Sequence, residues 1–311
     1  MFPSYQRLPK AELHLHLEGS IEPETLAEMD VSVAADEVRR RYQYEDFAGF
    51  IEAFKWVVMR LKRPEDYALA ARRLFERLAR EQVRYAEVTV SAGVVLRLGL
   101  EFGPIFDALD AEAARAPVMV RWVLDAVRQF GPEAAEKVAA LAIGRAHRGV
   151  VAFGIGGDEV RGPVEWFGPT FRRVRDAGLH LTIHAGETVG PESVRRAVEL
   201  GAERIGHGIA AVCDPELLAL LRDREVALEI CISSNVATGA VACLRDHPVR
   251  RIYEAGVPIV LGTDDPAMFH TTLAREYELA EREFGFSDEE LSKVAENGFR
   301  YAFGPARDTR S

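Results

Sequence analysis

The feature that most constrains this chain is an eightfold alternation of short apolar runs with longer amphipathic ones. The short runs are Ala11–Leu17, Val83–Ser91, Val118–Ala126, Gly149–Gly156, Leu179–His184, Arg204–His207, Val226–Ser233 and Pro258–Asp264. Cores such as YAEVTV, VVAFGI and VALEICI are rich in valine, isoleucine and aromatics, as expected of parallel strands covered by helices. Between them the sequence predicts helices over Pro64–Glu81, Pro132–His147, Val164–Ala177, Pro191–Leu200 and Pro215–Arg222. Several open on proline, whose missing N–H would be unpaired in a first turn anyway. Eight is the number of βα repeats that closes a parallel barrel. The expected fold is therefore a (β/α)8 TIM barrel, with residues 1–311 as one domain. An open doubly wound sheet is the competitor, but no GxGxxG loop follows the first strand. The stretch from Ile21 to Arg80 is too long for one crossover and should supply extra helices over the C-terminal mouth.

The strand ends carry the chemistry. The first ends in His14-Leu15-His16 with Glu18 beyond, the fourth in Gly156-Gly157-Asp158-Glu159, and the fifth in His184 with Glu187 three residues on. The sixth ends in His207, the seventh in Ser233-Ser234-Asn235, and the eighth in Asp264-Asp265. In a barrel these ends share one rim, where active sites of the architecture lie. His14 and His16 are two apart, so both rings face one side of their strand. Alone they read equally well as two core histidines. With His184 and Asp264 arriving from distant strands, they make a plausible catalytic zinc site with room for a water. Zinc would make that water acidic near pH 7. Glu187 could simply open a helix, but beside a metal it is the obvious proton donor or acceptor. His207 would hold or deprotonate the water. Asp265 could cap a following helix that starts with Pro266, reach the substrate, or do both.

Composition narrows the partners. A formal charge of −10 argues against nucleic acid, which needs basic patches. The three cysteines, Cys213, Cys231 and Cys243, have no CxxC spacing. They read as buried small apolar groups in a reducing compartment. No run approaches a membrane span, and a cytoplasmic protein is expected. The remaining histidines, His147, His180, His247 and His270, show no ligand spacing. Trp56, Phe47, Phe50 and Phe54 read as core or as the lining of a pocket for a flat ring. Monomer and homo-oligomer are equally compatible with the sequence.

The motifs LPKAELHLHLEGSIEPETL, FGIGGDE, HAGE, RIGHGI, SSN and GTDDPAMF together resemble the adenosine/adenine deaminase family of metal-dependent amidohydrolases. They run the length of the chain in order. The resemblance implies one zinc per chain held by His14, His16, His184 and Asp264, with Glu187 as proton donor and His207 and Asp264 orienting the water. It also implies His16, Glu18, Gly157 and Asp265 at a small-molecule purine substrate. The reaction implied is hydrolytic loss of a 6-amino group. Glu18 stands where animal-type members carry aspartate, and bacterial relatives with glutamate there act on adenine or on 5′-modified nucleosides such as aminodeoxyfutalosine of menaquinone biosynthesis. A nucleoside is expected, with free adenine as the alternative. Glu18 is expected to hang over the rim near the ribose. The cytidine-deaminase pattern of H-x-E with P-C-x-x-C is absent. A phosphoesterase could use the HxH strand but not HAGE with TDDP, and a silent binding barrel would be expected to lose a ligand or Glu187.

Overall fold

A computed structural model describes residues 4–304. Eight parallel strands pair in chain order: β1 (Lys10–His16), β2 (Val83–Val90), β3 (Met119–Val127), β4 (Val150–Gly156), β5 (His180–Ala185), β6 (Arg204–His207), β7 (Ala227–Ile230) and β8 (Ile259–Leu261). The ring closes through a bridge between Leu15 and Asp264. There the Asp264 N–H donates to His14 O at 3.0 Å, and the His16 N–H donates to Asp264 O at 2.8 Å. The fold is the TIM barrel expected from the eightfold pattern. Outside the strands, aromatic and aliphatic side chains form the core. Trp122 of β3 packs against Phe75 and Phe106, with ring centroids 6.1 and 6.3 Å away, and side chains of this kind each contribute about 1.5–3 kcal/mol when buried.

Two strands are shorter than expected. β7 stops at Ile230, and Ser233, Ser234 and Asn235 lie on a short helix, Ile232–Ala237, rather than at a strand end. The apolar signal runs on because that helix is itself buried at Ile232, Ser234 and Asn235, while serine and asparagine favour local backbone bonding over a sheet ladder. β8 stops at Leu261 because the chain must then pass close to β1. A Cβ on Gly262 would lie 2.9 Å from His14 O. Helix Val164–Ala177 is split into a 3₁₀ turn (Val164–Phe167) and a helix (Gly168–Asp176) that starts afresh at Pro169.

The long first connection folds as four helices, Pro23–Met29, Ala35–Arg41, Phe47–Val58 and Pro64–Arg80. The third begins where the Asp46 carboxylate accepts the Gly49 N–H at 2.8 Å, a cap worth about 1 kcal/mol. Its Phe47, Phe50 and Phe54 reach into the cavity at the barrel mouth. Trp56 instead packs against the guanidinium groups of Arg41 and Arg60. Among the cysteines only Cys231 is buried; Cys213 is exposed and Cys243 partly so, because both occupy surface turns. Among the described residues no helix is long and apolar enough to cross a membrane.

Below the mouth the barrel interior is filled by charge. Arg204, fully buried on β6, donates from Nε to Glu229 Oε1 at 2.5 Å and from Nη2 to Glu87 Oε2 at 2.6 Å. Its remaining nitrogen donates to Tyr301 O at 2.8 Å, and the Phe303 ring covers its plane at 3.6 Å. Glu87 also accepts from Tyr85 Oη and from the Phe303 N–H. Each nitrogen of this guanidinium is used, which is the condition under which a buried ion group is tolerated.

Candidate active site

β1, β5, β6 and the turn after β8 bring His14, His16, His184, His207 and Asp264 to one point at the mouth. The His14 ring centroid lies 4.6 Å from His184, 4.9 Å from His207 and 5.5 Å from His16. His14 Nε2 and His16 Nε2 lie 3.4 and 3.3 Å from Asp264 Oδ1, and His207 Nε2 lies 3.9 Å from Asp264 Oδ2. Asp264 Oδ2 also accepts from Ser234 Oγ at 2.6 Å. Two of these residues sit in the left-handed region, His207 at φ +61° and Asp264 at φ +62°. Such backbone costs about 1–3 kcal/mol per non-glycine residue and persists where the surroundings over-determine it. At Asp264 the ring closure described above does so.

The donor set fits a divalent cation. Donor atoms of His14, His184, His207 and Asp264 all lie within 4.8 Å of one another, and His16 stands beside them. His14 Nε2 is buried without a hydrogen-bond partner, while its Nδ1 lies 2.7 Å from Glu229 Oε2. A carboxylate there accepts the hydrogen bond of the Nδ1–H, keeps that proton on Nδ1 and leaves the Nε2 lone pair facing Asp264, the usual arrangement behind a metal-ligating histidine. Burial alone would lower the His14 pKa, but with no cation present its acidic neighbours Asp264 and Glu229 outweigh it and carry it up to about 10. With a cation in that place the ring would be neutral, its Nε2 lone pair free to ligate. Burial takes His16 and His207 down to about 4 and His184 well below the usual value, so these rings are neutral at pH 7.

Glu187 lies on the loop after β5. Its Oε2 is 3.7 Å from His207 Nε2, and its Oε1 accepts from Thr238 Oγ1 at 3.4 Å. Burial first, then the charges of Asp264 and Glu159, raise its pKa to about 8, so it holds a proton at neutral pH. The loop is fixed by Glu159, whose buried carboxylate accepts the N–H groups of Gly186, Glu187 and Thr188 at 2.9, 3.0 and 3.0 Å. It also accepts from Ser193 Oγ at 2.6 Å.

The cavity in front of these groups has a volume of about 180 Å³. Its deep end is polar, with His16, Asp125, His184, Glu187, His207, Asp264 and Asp265. Its outer wall is apolar, with Phe47, Phe50, Ile51, Phe54, Val94 and Phe130, and with Lys55 at the edge. Gly157 lines it at φ +95°, where a Cβ would press on Gln129 Oε1 at 2.5 Å.

Two expectations are corrected. Glu18 does not hang over the rim. The 3₁₀ turn Glu18–Ser20 that follows β1 folds its carboxylate inward, where Oε1 accepts the Ser91 N–H at 3.0 Å and Oε2 has no partner. Burial raises it to about 7, and it is Ser91 that lines the cavity. Asp265 caps no helix, because the next one starts only at Leu273. Its Oδ1 is buried and unpartnered, and its pKa is pushed well up by burial and by Asp264. Gly19 makes room for it, since a Cβ there would collide with the Asp265 carboxylate.

Sequence reasoning missed Glu229, Asp125, Glu159, Asn235 as a partner of His207, and His247. Asp125, on β3, lines the cavity with Oδ1 buried and unpaired, and burial followed by the Glu18 charge raises it to about 8. Glu87, Asp125 and Glu229 could have been found as lone acids inside otherwise apolar strands. His247, set aside for want of spacing, is buried with Nε2 3.1 Å from Asn235 Oδ1; Asn235 Nδ2 is 3.0 Å from His207 Nδ1.

Residues 9–311 match the family described as adenosine deaminase. The chain is 40% identical over 310 residues to an aminodeoxyfutalosine deaminase of Streptomyces coelicolor, covering 95% of this chain and 80% of that one. It is 39% identical over 305 residues to an adenine deaminase of Rhizobium meliloti, covering 95% and 94%. Among solved structures it resembles adenine deaminase from Arthrobacter aurescens, with a TM-score of 0.89 and 27% identity over 97% of this chain and 95% of that one. An amidohydrolase from Burkholderia ambifaria with bound Zn superposes with a TM-score of 0.90 and 25% identity over 97% and 87%. With its eight-stranded barrel, its His and Asp cluster at the mouth and this match over nearly its whole length, the chain belongs to the adenosine deaminase family.

Proposed function

We propose that this deaminase removes the 6-amino group of an adenine nucleoside, either adenosine or a 5′-extended adenosine such as aminodeoxyfutalosine, giving the 6-oxopurine and ammonia. The observation that carries the reading is the two-part cavity. A flat base placed against the polar end leaves the phenylalanine-walled outer part unfilled, and a sugar with an apolar 5′ substituent would occupy it. Free adenine is the second reading, favoured by the adenine deaminase relatives.

Zinc, held by His14, His16, His184 and Asp264, would supply when bound a water acidic enough to act as nucleophile at pH 7. The protein's own residues do the rest. Glu187, protonated at neutral pH, donates to ring N1 and makes C6 electrophilic. His207 and Asp264 orient the incoming oxygen. Asp265, which burial and the Asp264 charge push toward its protonated form, would donate to N7, and Gly157 lets its backbone N–H approach N3 because no Cβ intervenes.

Turnover of adenine, adenosine, methylthioadenosine and aminodeoxyfutalosine, followed at the purine absorbance, tests the reading. A nucleoside should exceed adenine in kcat/KM by roughly 10 to 150-fold, the equivalent of about 1.5–3 kcal/mol from contacts to the sugar and its substituent. Adenine outperforming every nucleoside would transfer the assignment to the second reading.

A further inference from the structure

We infer that a relay from the Val249 backbone through His247 and Asn235 fixes His207 as the tautomer protonated on Nε2, making His207 a hydrogen-bond donor and Asn235 and His247 its positioning residues. The inference deepens the deaminase reading of the same site.

The direction of the relay is set by its far end. A backbone N–H can only donate, and that of Val249 lies 3.2 Å from His247 Nδ1. That nitrogen must therefore present a lone pair, which places the His247 proton on Nε2. Nε2 then donates to Asn235 Oδ1 at 3.1 Å. With its oxygen so engaged, the Asn235 amide turns its NH₂ to His207 Nδ1 at 3.0 Å. Asn235 is fully buried and His247 nearly so, so water does not compete for these bonds. His207 Nδ1 accepts, and in the neutral ring its proton sits on Nε2. That N–H faces the gap between Glu187 Oε2, 3.7 Å away, and Asp264 Oδ2, 3.9 Å away.

His14 is the counterexample a few ångströms off. Its Nδ1 meets a carboxylate, Glu229, which accepts, so its Nε2 lone pair faces the cluster. The two neighbouring imidazoles are thus set to opposite tautomers by one acceptor and one donor behind them. A ring with hydrogen on Nε2 offers no lone pair to a cation there. This removes His207 from the crowded set of candidate donors and leaves the fourth place to His16. Nor can such a ring take a proton from water through Nε2. It donates to the oxygen being added at the purine carbon, where negative charge develops. Removing one donor of this kind typically costs about 10² to 10³ in kcat.

The test is ¹⁵N-histidine NMR on the zinc-loaded and metal-free protein, using two-bond ring correlations that distinguish the neutral tautomers. His207 should carry its proton on Nε2 in both. Asn235→Asp puts an acceptor where the donor was and should move the proton to Nδ1, with kcat falling about 10² to 10³-fold. His247→Gln can still donate to Asn235 and should keep the tautomer, whereas His247→Phe should lose it, with the rates following the tautomer. A wild-type proton on Nδ1 would overturn the inference, and so would a tautomer moved by Asn235→Asp with kcat unchanged. Should Asn235→Asp fail to fold, the wild-type spectrum and the His247 pair still decide. If no adenine-type substrate is turned over while the spectrum is as stated, the substrate reading fails and the relay stands.

Discussion

The barrel holds two groups of buried charge, one above the other, and they are finished to different standards. In the interior, Arg204, Glu87, Glu229, Tyr85 and Thr182 exchange hydrogen bonds so completely that no side-chain oxygen or nitrogen among them lacks a partner. At the mouth, Glu18, Asp125 and Asp265 each keep one buried oxygen without a partner. An unpaired buried polar atom costs about 1–3 kcal/mol, so a fold does not keep such atoms against a cavity, as at Asp125 and Asp265, without a use; Glu18 stands behind that wall, bonded to Ser91. The paired layer is structure. The unpaired layer is a surface prepared for a ligand that brings its own donors and acceptors.

Substitutions should separate the two layers. The largest effect is expected at the mouth. Glu187→Gln keeps the shape and the bond to Thr238 but has no proton to give N1, so kcat should fall by about 10² to 10⁴-fold. Elemental analysis should find the metal content unchanged; a wild-type kcat would remove Glu187 from the mechanism. In the interior, Arg204→Met strands Glu87 and Glu229 without their cation. Denaturant unfolding should show a loss of about 3–5 kcal/mol, and a loss under 1 kcal/mol would mean that the interior layer is not structural in this sense.

The pH dependence gives a third separation. The folded pKa of Glu187 is raised from 4.5 to about 8, so its proton is present below that value and lost above it. The rate kcat/KM should fall about tenfold per pH unit above 8. Because the folded state holds a proton there that the unfolded chain releases above 4.5, this group's contribution to stability also declines as pH rises from about 4.5 to 8. A rate that keeps rising past pH 9 would contradict the protonated-acid role. The smallest effect is expected at Asp125→Leu. Stability should hold or increase, since an unpaired carboxyl is removed, while kcat/KM drops about 2 to 13-fold for a lost neutral hydrogen bond of roughly 0.5–1.5 kcal/mol. A destabilised variant with normal kinetics would move Asp125 into the structural layer.

The barrel and the cluster at its mouth were legible because both follow from local pattern. Valine-rich runs mark strands, and histidines at their ends fall on one rim whatever the details. What escaped was whatever depends on the third dimension between strands. His247 has no spacing signal because its partner is an asparagine twelve residues earlier on a helix that reads as strand. Glu18 follows a strand end as a rim residue should, yet a single 3₁₀ turn folds it inward. Glu229 stood in plain view as an acid in VALEICI, but only the parallel register of β7 and its neighbours places it behind His14.

The bridge that closes the ring has a biosynthetic consequence. Leu15 and Asp264 meet across some 250 residues of chain, and the donor cluster straddles that seam, with His14 and His16 on one side and Asp264 on the other. A ribosome will have made the first two imidazoles long before the aspartate that completes the set. Any cation captured earlier would meet only part of that set, His184 joining before Asp264. If the cluster holds a cation, its full donor set exists only once the last strand is in place.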